Sequence, residues 1–407
     1  MALVAHRQKK HRTDLWGQIH DIQNKLHELE VKKFKQTHQW WWDKLTKINC
    51  KQNSKEFWKI IKLVKKPKSH EPFPTVMEHE GKFVKTKQEI KHTITEYYKK
   101  LDEDNDPEAK NFNSMFPMEP ENQSEAEIII PNEEQVQHVQ KENVDTAIQN
   151  QQKDKASGPD HTTAESFQHL PDHMVDKLKD IINAAIDLGV TPLTWQENFV
   201  KLIYKKNEAT KIENYRPISL LNTIFKIWEN ILYEKLKNQI NLKKTIHIAQ
   251  FGSQQGKGAT DAILAINLMQ ENNSSEALYT ATIDLSKAYN RVDRARLWHK
   301  LAILGVSHKL ISLLKSTYNG YKETYKIGAD TTSPLKLKKG LRQGSVLSPI
   351  LFIIYVNDML KEIQTTGEGA ITVGMTDSDR TAGLMFVDDL HLLAQSIENH
   401  HYNHQKM

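Results

Sequence analysis

The chain has 407 residues, 38% hydrophobic and 26% charged, with a net charge of +5; this length can bury a large core and should split into about two or three domains, in the composition range of soluble globular proteins. Cys50 is the single cysteine, which excludes an internal disulfide, a cysteine-based zinc finger and an iron–sulfur cluster. The N-terminus, with Arg7, Lys9, Lys10 and Arg12, lacks the apolar core of a secretory signal, and the longest apolar run, Ile350 to Val356, is too short to span a bilayer, so a cytoplasmic or nuclear protein is expected.

Leu15, Ile19, Ile22, Leu26 and Leu29 follow helical spacing and predict an amphipathic helix towards Lys35. After Trp40, Trp41 and Trp42, a second basic helix has Phe57, Ile61 and Val64 on one face and Lys55, Lys59, Lys62 and Lys66 elsewhere. The tryptophans suit helix packing or stacking on nucleic-acid bases. Residues 1–70 carry seventeen Lys or Arg against six Asp or Glu, whereas residues 102–134 carry eleven acids against Lys110 alone. A polyanion is drawn to the first stretch and repelled by the second.

Pro67, Pro72 and Pro74 end the first helical region, and a helix from Lys87 to Leu101 precedes the acidic, proline-containing stretch, which reads as a flexible linker. Folded sequence resumes near Ile128. Leu202 to Lys206 is a short strand ending in cations, followed by Asn214 to Leu221. Lys205 and Arg216 suit a triphosphate, and equally suit a solvated surface. Gly252, Gly256 and Gly258 with Lys257 lack the spacing of a phosphate-binding P-loop.

Leu278 to Leu285 reads as a strand that ends at Asp284. A helix is expected from about Lys287, with Ser286 as N-cap, Leu297, Leu301 and Leu304 on its inner face, and Gly305 closing it. Asp284 at a strand-to-helix turn is a candidate catalytic acid or a turn residue; Tyr289, five residues on, is a candidate site aromatic or core. Lys322 to Ile327 and Leu335 to Lys338 alternate as a hairpin across Gly328 to Asp330. Gly340 to Ser348 follows, where two glycines permit close backbone approach to a flat ligand and Gln343 offers donor and acceptor; a plain glycine turn also accounts for the glycines. Ser348 and Pro349 start a helix through Val356.

Asp388 and Asp389 lie between apolar runs and read as the tip of a buried β-hairpin. At an effective dielectric of about 20, two such carboxylates ~4 Å apart repel by on the order of 4 kcal/mol, which divalent cations relieve. The arrangement suits two-metal phosphoryl transfer; on its own the pair also serves as a polar turn. The tail histidines His391, His400, His401 and His404 have no cysteine partner and no His-Glu-x-x-His pattern, and are read as surface residues rather than a zinc site.

In order, Lys155 to Asp160, then Gly189, Pro192 and Trp195, Tyr215 to Leu221, Gln250-Phe251-Gly252, Asp284 to Tyr289, Gly340 to Pro349 and Phe386-Val387-Asp388-Asp389 resemble the reverse transcriptase domain of non-LTR (LINE-like) retrotransposons. The resemblance implies an α+β fold, a right-hand polymerase with fingers and an antiparallel palm sheet backed by helices. The organisation expected is a basic helical extension over 1–101, an acidic linker over 102–127, fingers over 128–275 and an incomplete palm over 276–407, with the thumb missing and no endonuclease domain ahead.

By resemblance, Asp284, Asp388 and Asp389 are catalytic and hold two Mg²⁺ ions, or Mn²⁺ in their place. Lys205 and Arg216 contact phosphates, Tyr289 lies under the sugar and excludes a 2′-hydroxyl, and Gln343 and Gly344 border the incoming nucleotide. The implied function is RNA-directed DNA synthesis from dNTPs on an RNA template and DNA primer, without a membrane or a disulfide-linked partner. The other reading is a non-catalytic nucleic-acid-binding remnant. Asn290, Val387, Tyr204 and Lys206 depart from the residues usual in the family, and none of them is an expected metal ligand.

Overall fold

A computed structural model describes residues 76–103, 112–113, 136–272, 279–328, 330–365, 371–372 and 380–394. The chain divides into two compact units, Met1–Pro72 and Phe73–Met407, and all the described residues belong to the second. The expected N-terminal helices, the tryptophan run, Cys50, most of the acidic stretch and the last three tail histidines lie outside the described residues.

In chain order the elements are β1 (Met77–His79), β2 (Lys82–Val84), α1 (Lys87–Asp102), α2 (Lys141–Gln149), α3 (Ala164–Gln168), α4 (Asp172–Leu188), β3 (Asn198–Tyr204), β4 (Tyr215–Leu221), α5 (Thr223–Gln239), α6 (Leu242–Thr245), α7 (Ala259–Asn272), β5 (Tyr279–Asp284), α8 (Ala288–Arg291), α9 (Arg294–Ile303), α10 (His308–Ser316), β6 (Lys322–Ile327), β7 (Asp330–Thr331), β8 (Leu335–Lys336), α11 (Ser348–Thr365), β9 (Ile371–Thr372), β10 (Arg380–Thr381), β11 (Gly383–Phe386) and β12 (Asp389–Ala394). The fold is α+β.

Two sheets matter for the site. An antiparallel three-stranded sheet runs β11-β12-β5, and a five-stranded sheet runs β4-β3-β6-β7 with β8 paired to β6. Against β11 of the first packs α11, whose apolar segment Ile350 to Val356 has all seven side chains buried. A helix apolar on every side belongs in a core. No described helix is long and apolar enough to cross a membrane.

Three expected boundaries move. The helix α1 belongs with residues 73–407 rather than with the basic N-terminal segment: Tyr98 is buried and stacks on Tyr325 of β6 at 4.5 Å, and the Asp102 carboxylate accepts from the backbone N–H groups of Lys338 and Lys339. Within the expected linker, Phe112 is buried against Tyr355, and the Asn113 carbonyl accepts from Arg296 at 2.6 Å. The expected division at residue 275 is crossed by the parallel pairing of β3 with β6, in which Phe199 lies opposite Thr324.

The helix expected from Lys287 to Gly305 is broken in two. Lys287, not Ser286, stands at the N-terminal flank of α8, with φ +53 and no side-chain cap, and the chain straightens through Val292 before Asp293 caps α9 by accepting from Ala295 and Arg296 N–H. An aspartate that satisfies two orphan donors begins a helix more readily than it continues one. Of the expected inner face, Leu297 and Leu301 are fully buried, whereas Leu304 lies past the end of α9 and is only partly buried.

Candidate active site

The acids meet because two strands are held in one register. Asp389 opens β12 and lies directly opposite Asp284, the last residue of β5; Leu390 is opposite Ile283 and His391 opposite Thr282. Alternation turns Leu390 and Leu392 into the core and leaves Asp389 exposed. His391 is hydrogen-bonded to Thr282 Oγ1 at 3.0 Å through Nδ1. That leaves it as a cross-strand partner in the sheet.

Val387 and Asp388 form the turn between β11 and β12. Val387 has φ +60, a conformation that hairpin turns usually give to glycine and that a β-branched residue rarely adopts. Asp388 is half-buried at this tip. Burial raises its carboxyl above the usual range, its own backbone hydrogen bond pulls it down, the charges of Asp389 and Asp284 raise it further, and Arg216 lowers it. The three acids therefore share one electrostatic neighbourhood.

A cavity of about 210 Å³ opens beside them. Asp284, Asp388 and Glu213 are its acids, and Lys205, Lys206, Arg216 and Lys287 its cations. Lys205 is carried at the end of β3, where its N–H donates to the Asn214 carbonyl, and Arg216 stands on β4 opposite Ile203. Tyr289 and Gln343 also line it.

The Tyr289 ring stacks on Phe352 of α11, centroids 4.6 Å apart and nearly parallel. Its hydroxyl is pushed up in pKa, first by burial and then by the charge of Asp388. Gln343 is fixed by its backbone, its carbonyl accepting from Ser219 N–H at 2.6 Å. Of the expected site residues, Asp284, Asp388, Lys205, Arg216, Tyr289 and Gln343 line the cavity; Asp389 and Gly344 stand outside its lining. Gly344, with φ +117, instead presses on β4, where an added Cβ would lie 2.7 Å from the Ser219 carbonyl oxygen.

The loop carrying Gln343 is anchored from behind by Arg342, which is fully buried. Its guanidinium donates to the Thr317 carbonyl and lies against the rings of Tyr321, Tyr318 and Phe225, at 4.0 to 4.9 Å. Glu229, also buried, accepts from Ser345 Oγ at 2.5 Å and from Val346 N–H at 2.9 Å. Burial raises the Glu229 carboxyl, and the Arg342 charge followed by these two hydrogen bonds offsets part of the rise. On the near side, Leu341 N–H donates to Tyr289 O and Gly340 N–H to Val292 O.

Sequence reasoning missed Lys287 as a lining residue. Its Nζ donates to the Glu213 carbonyl at 2.6 Å, and burial lowers its pKa. Its place between Asp284 and Tyr289 was the available signal. Among the described residues no group of three His, Cys, Asp or Glu side chains could by itself hold a metal ion. The donor set still suits Mg²⁺, which is typically bound by one or two carboxylates together with substrate phosphates rather than by an all-protein cage. Asp284 and Asp388 are such carboxylates, with Asp389 adjoining.

The profile of the family described as "Reverse transcriptase (RNA-dependent DNA polymerase)" matches residues 203–407. The chain is 25% identical over 235 residues to the "Probable RNA-directed DNA polymerase from transposon BS" of Drosophila melanogaster, covering 55% of this chain and 25% of that protein. It is 28% identical over 210 residues to the "RNA-directed DNA polymerase from mobile element jockey" of the same species, covering 50% and 23%. A "Retrovirus-related Pol polyprotein from type-1 retrotransposable element R2" of Popillia japonica is 24% identical over 208 residues, covering 50% and 28%. The chain spans about a quarter of the length of these curated relatives.

Proposed function

The chain belongs to the reverse transcriptase family, in the form carried by non-LTR retrotransposons, and from that premise we propose that it extends a DNA primer with deoxynucleotides on an RNA template. The observation that carries the reading is the pairing of Asp389 with Asp284, which itself lines a cavity together with Asp388, Lys205 and Arg216.

In this reading Asp284 and Asp388, with Asp389 beside them, hold two Mg²⁺ or Mn²⁺ ions. When bound, these lower the pKa of the primer 3′-hydroxyl and neutralise charge on the triphosphate and departing pyrophosphate. Lys205 and Arg216 bind phosphate oxygens, the guanidinium in two-pronged fashion. Tyr289, braced by Phe352, stands where a ribose 2′-hydroxyl would otherwise fit and so selects deoxynucleotides. Gln343 borders the base and sugar, and Gly344 keeps that loop tight against β4. The reaction belongs in the cytoplasm or nucleus, where RNA and dNTPs meet.

Primer extension on an RNA template with dNTPs and Mg²⁺ or Mn²⁺ tests the proposal. Incorporation that vanishes on Asp388→Ala supports it; incorporation that survives this substitution rejects the assigned site.

The excess of seventeen basic over six acidic residues in the first seventy supports a second reading, a nucleic-acid-binding remnant without polymerase chemistry. That reading requires RNA or DNA affinity that falls steeply with salt, by close to one unit of log-log slope for each phosphate neutralised, and no incorporation. Salt-insensitive binding would reject it.

A further inference from the structure

The strained turn between β11 and β12 has a partner outside the hairpin. Ala249 to Phe251 runs alongside β11: Met385 N–H donates to the Ala249 carbonyl at 2.9 Å, and Phe251 N–H donates to the Met385 carbonyl at 2.8 Å. This brings the side chain of Gln250, only 1% exposed, against the turn. Its Oε1 accepts from Val387 N–H at 3.0 Å and from Gly252 N–H at 2.9 Å, while Nε2 donates to the Val387 carbonyl at 3.4 Å. One amide therefore brackets both backbone polar groups of the one residue in the turn whose φ is positive.

Few side chains can make that bracket. It needs a donor and an acceptor on one planar group; glutamate has no donor when ionised, methionine offers neither at comparable strength, and asparagine is one methylene shorter. The neighbouring glycine is part of the same fitting. A Cβ on Gly252 would lie 2.4 Å from both the amide nitrogen and Cγ2 of Val387, so only glycine lets this backbone lie against the turn. The segment is tied down in turn by Lys257, whose Nζ donates to the carbonyls of Ile248 and Gln250.

We propose that Gln250 is a positioning residue: its amide holds Val387 in the left-handed conformation and thereby aims the Asp388 carboxylate into the cavity. The inference rests on the polymerase reading for its effect on rate, and on geometry alone for its effect on the turn. A residue forced into positive φ relaxes when its brackets are removed, and the peptide planes on either side of Val387 then turn, carrying Asp388 with them. Glycine at 387 would take up the same shape without strain.

The test uses the full chain with Gln250→Met and Gln250→Glu, each alone and combined with Val387→Gly. Backbone amide exchange is followed in peptides covering 383–394 and, as an internal reference, 198–221. The expected result is exchange at the hairpin about tenfold faster in each single variant, an unchanged reference sheet, and return towards the natural rate with Val387→Gly. In primer extension, kcat should fall about tenfold with KM for dNTP within about twofold, and Val387→Gly should restore much of it.

Unchanged hairpin exchange overturns the proposal, as does a loss that Val387→Gly does not repair. Failure of both single variants to fold overturns it too, because the amide would then be holding the core rather than the turn. A natural chain that incorporates no nucleotide defeats the polymerase reading and leaves the exchange comparison to decide this one.

Discussion

Asp389 and Asp284 are directly opposed across β12 and β5, yet it is Asp388, one residue earlier and in the turn, that lines the cavity with Asp284. The two adjacent aspartates are thus not equivalent. One is a cross-strand neighbour of the first acid, and the other projects from the hairpin tip.

Asp284→Asn and Asp388→Asn should each reduce incorporation by at least about 10²-fold, the scale for losing one positioned electrostatic group. Asp389→Asn should cost distinctly less. Single-turnover incorporation on a primed RNA template gives the ranking, and equal losses at 388 and 389 would contradict the geometry.

Asp388→Asn should also stabilise the chain in metal-free buffer, because burial and two like charges disfavour its ionised form. A rise in Tm of about 1–3 °C is expected for a chain of this size. Mg²⁺ should raise the Tm of the natural chain and leave that of the variant nearly unchanged. Calorimetric scans with and without Mg²⁺ check both.

Tyr289→Ala removes the ring stacked on Phe352, a contact worth roughly 0.5–1.5 kcal/mol beyond its buried area. Ribonucleotide use should rise at least about tenfold relative to deoxynucleotide use, whereas Tyr289→Phe should keep the discrimination because the ring itself fills the space. The ratio of kcat/KM for dNTP and rNTP is the measurement.

Gly344→Ala meets two obstacles, a φ of +117 and a Cβ 2.7 Å from the Ser219 oxygen. Destabilisation of about 2 kcal/mol or more is expected, measured by urea unfolding, together with a higher KM for dNTP as the Gln343 loop lifts from β4.

Arg342→Met should destabilise by about 3–5 kcal/mol, since it leaves Glu229 buried without its cation, and Glu229→Gln in the same chain should recover part of the loss. The pH dependence has a definite sign. Glu229 holds its proton to higher pH in the folded chain than in the unfolded one, so its contribution to stability is greatest near and below pH 4.5 and declines as pH rises through the folded value. In Glu229→Gln that decline should be shallower in unfolding midpoints measured across the range, the raised carboxyls of Glu323 and Asp388 supplying the remainder.

Local pattern carried much of this molecule. The strand ending at Asp284, the hairpin with Asp388 at its tip and the start of the apolar helix at Ser348-Pro349 were each legible because period and turn chemistry act within a few residues, although Ser348 is the helix's first residue rather than its cap and the helix runs on past Val356 to Thr365. The pairing of Phe199 with Thr324 was not, since register between strands so far apart in sequence leaves no mark on either one. Arg342 was illegible for a related reason: nothing local marks it as core, and only the tertiary arrangement of Phe225, Tyr318 and Tyr321 makes it so. The break between α8 and α9 turned on Asp293 taking the capping role expected of Ser286.

The docking of α1 and of Phe112–Asn113 sets where the second compact unit can be cut. A fragment begun at residue 128 would bare the face of Tyr325, release the Lys338 and Lys339 amides from Asp102, and take from Arg296 its Asn113 acceptor. Those losses fall on β6, α9 and the approach to Gln343, which lines the cavity. A deletion drawn at the composition boundary would therefore yield aggregation-prone protein, whereas an expression start ahead of β1 keeps the whole buttress.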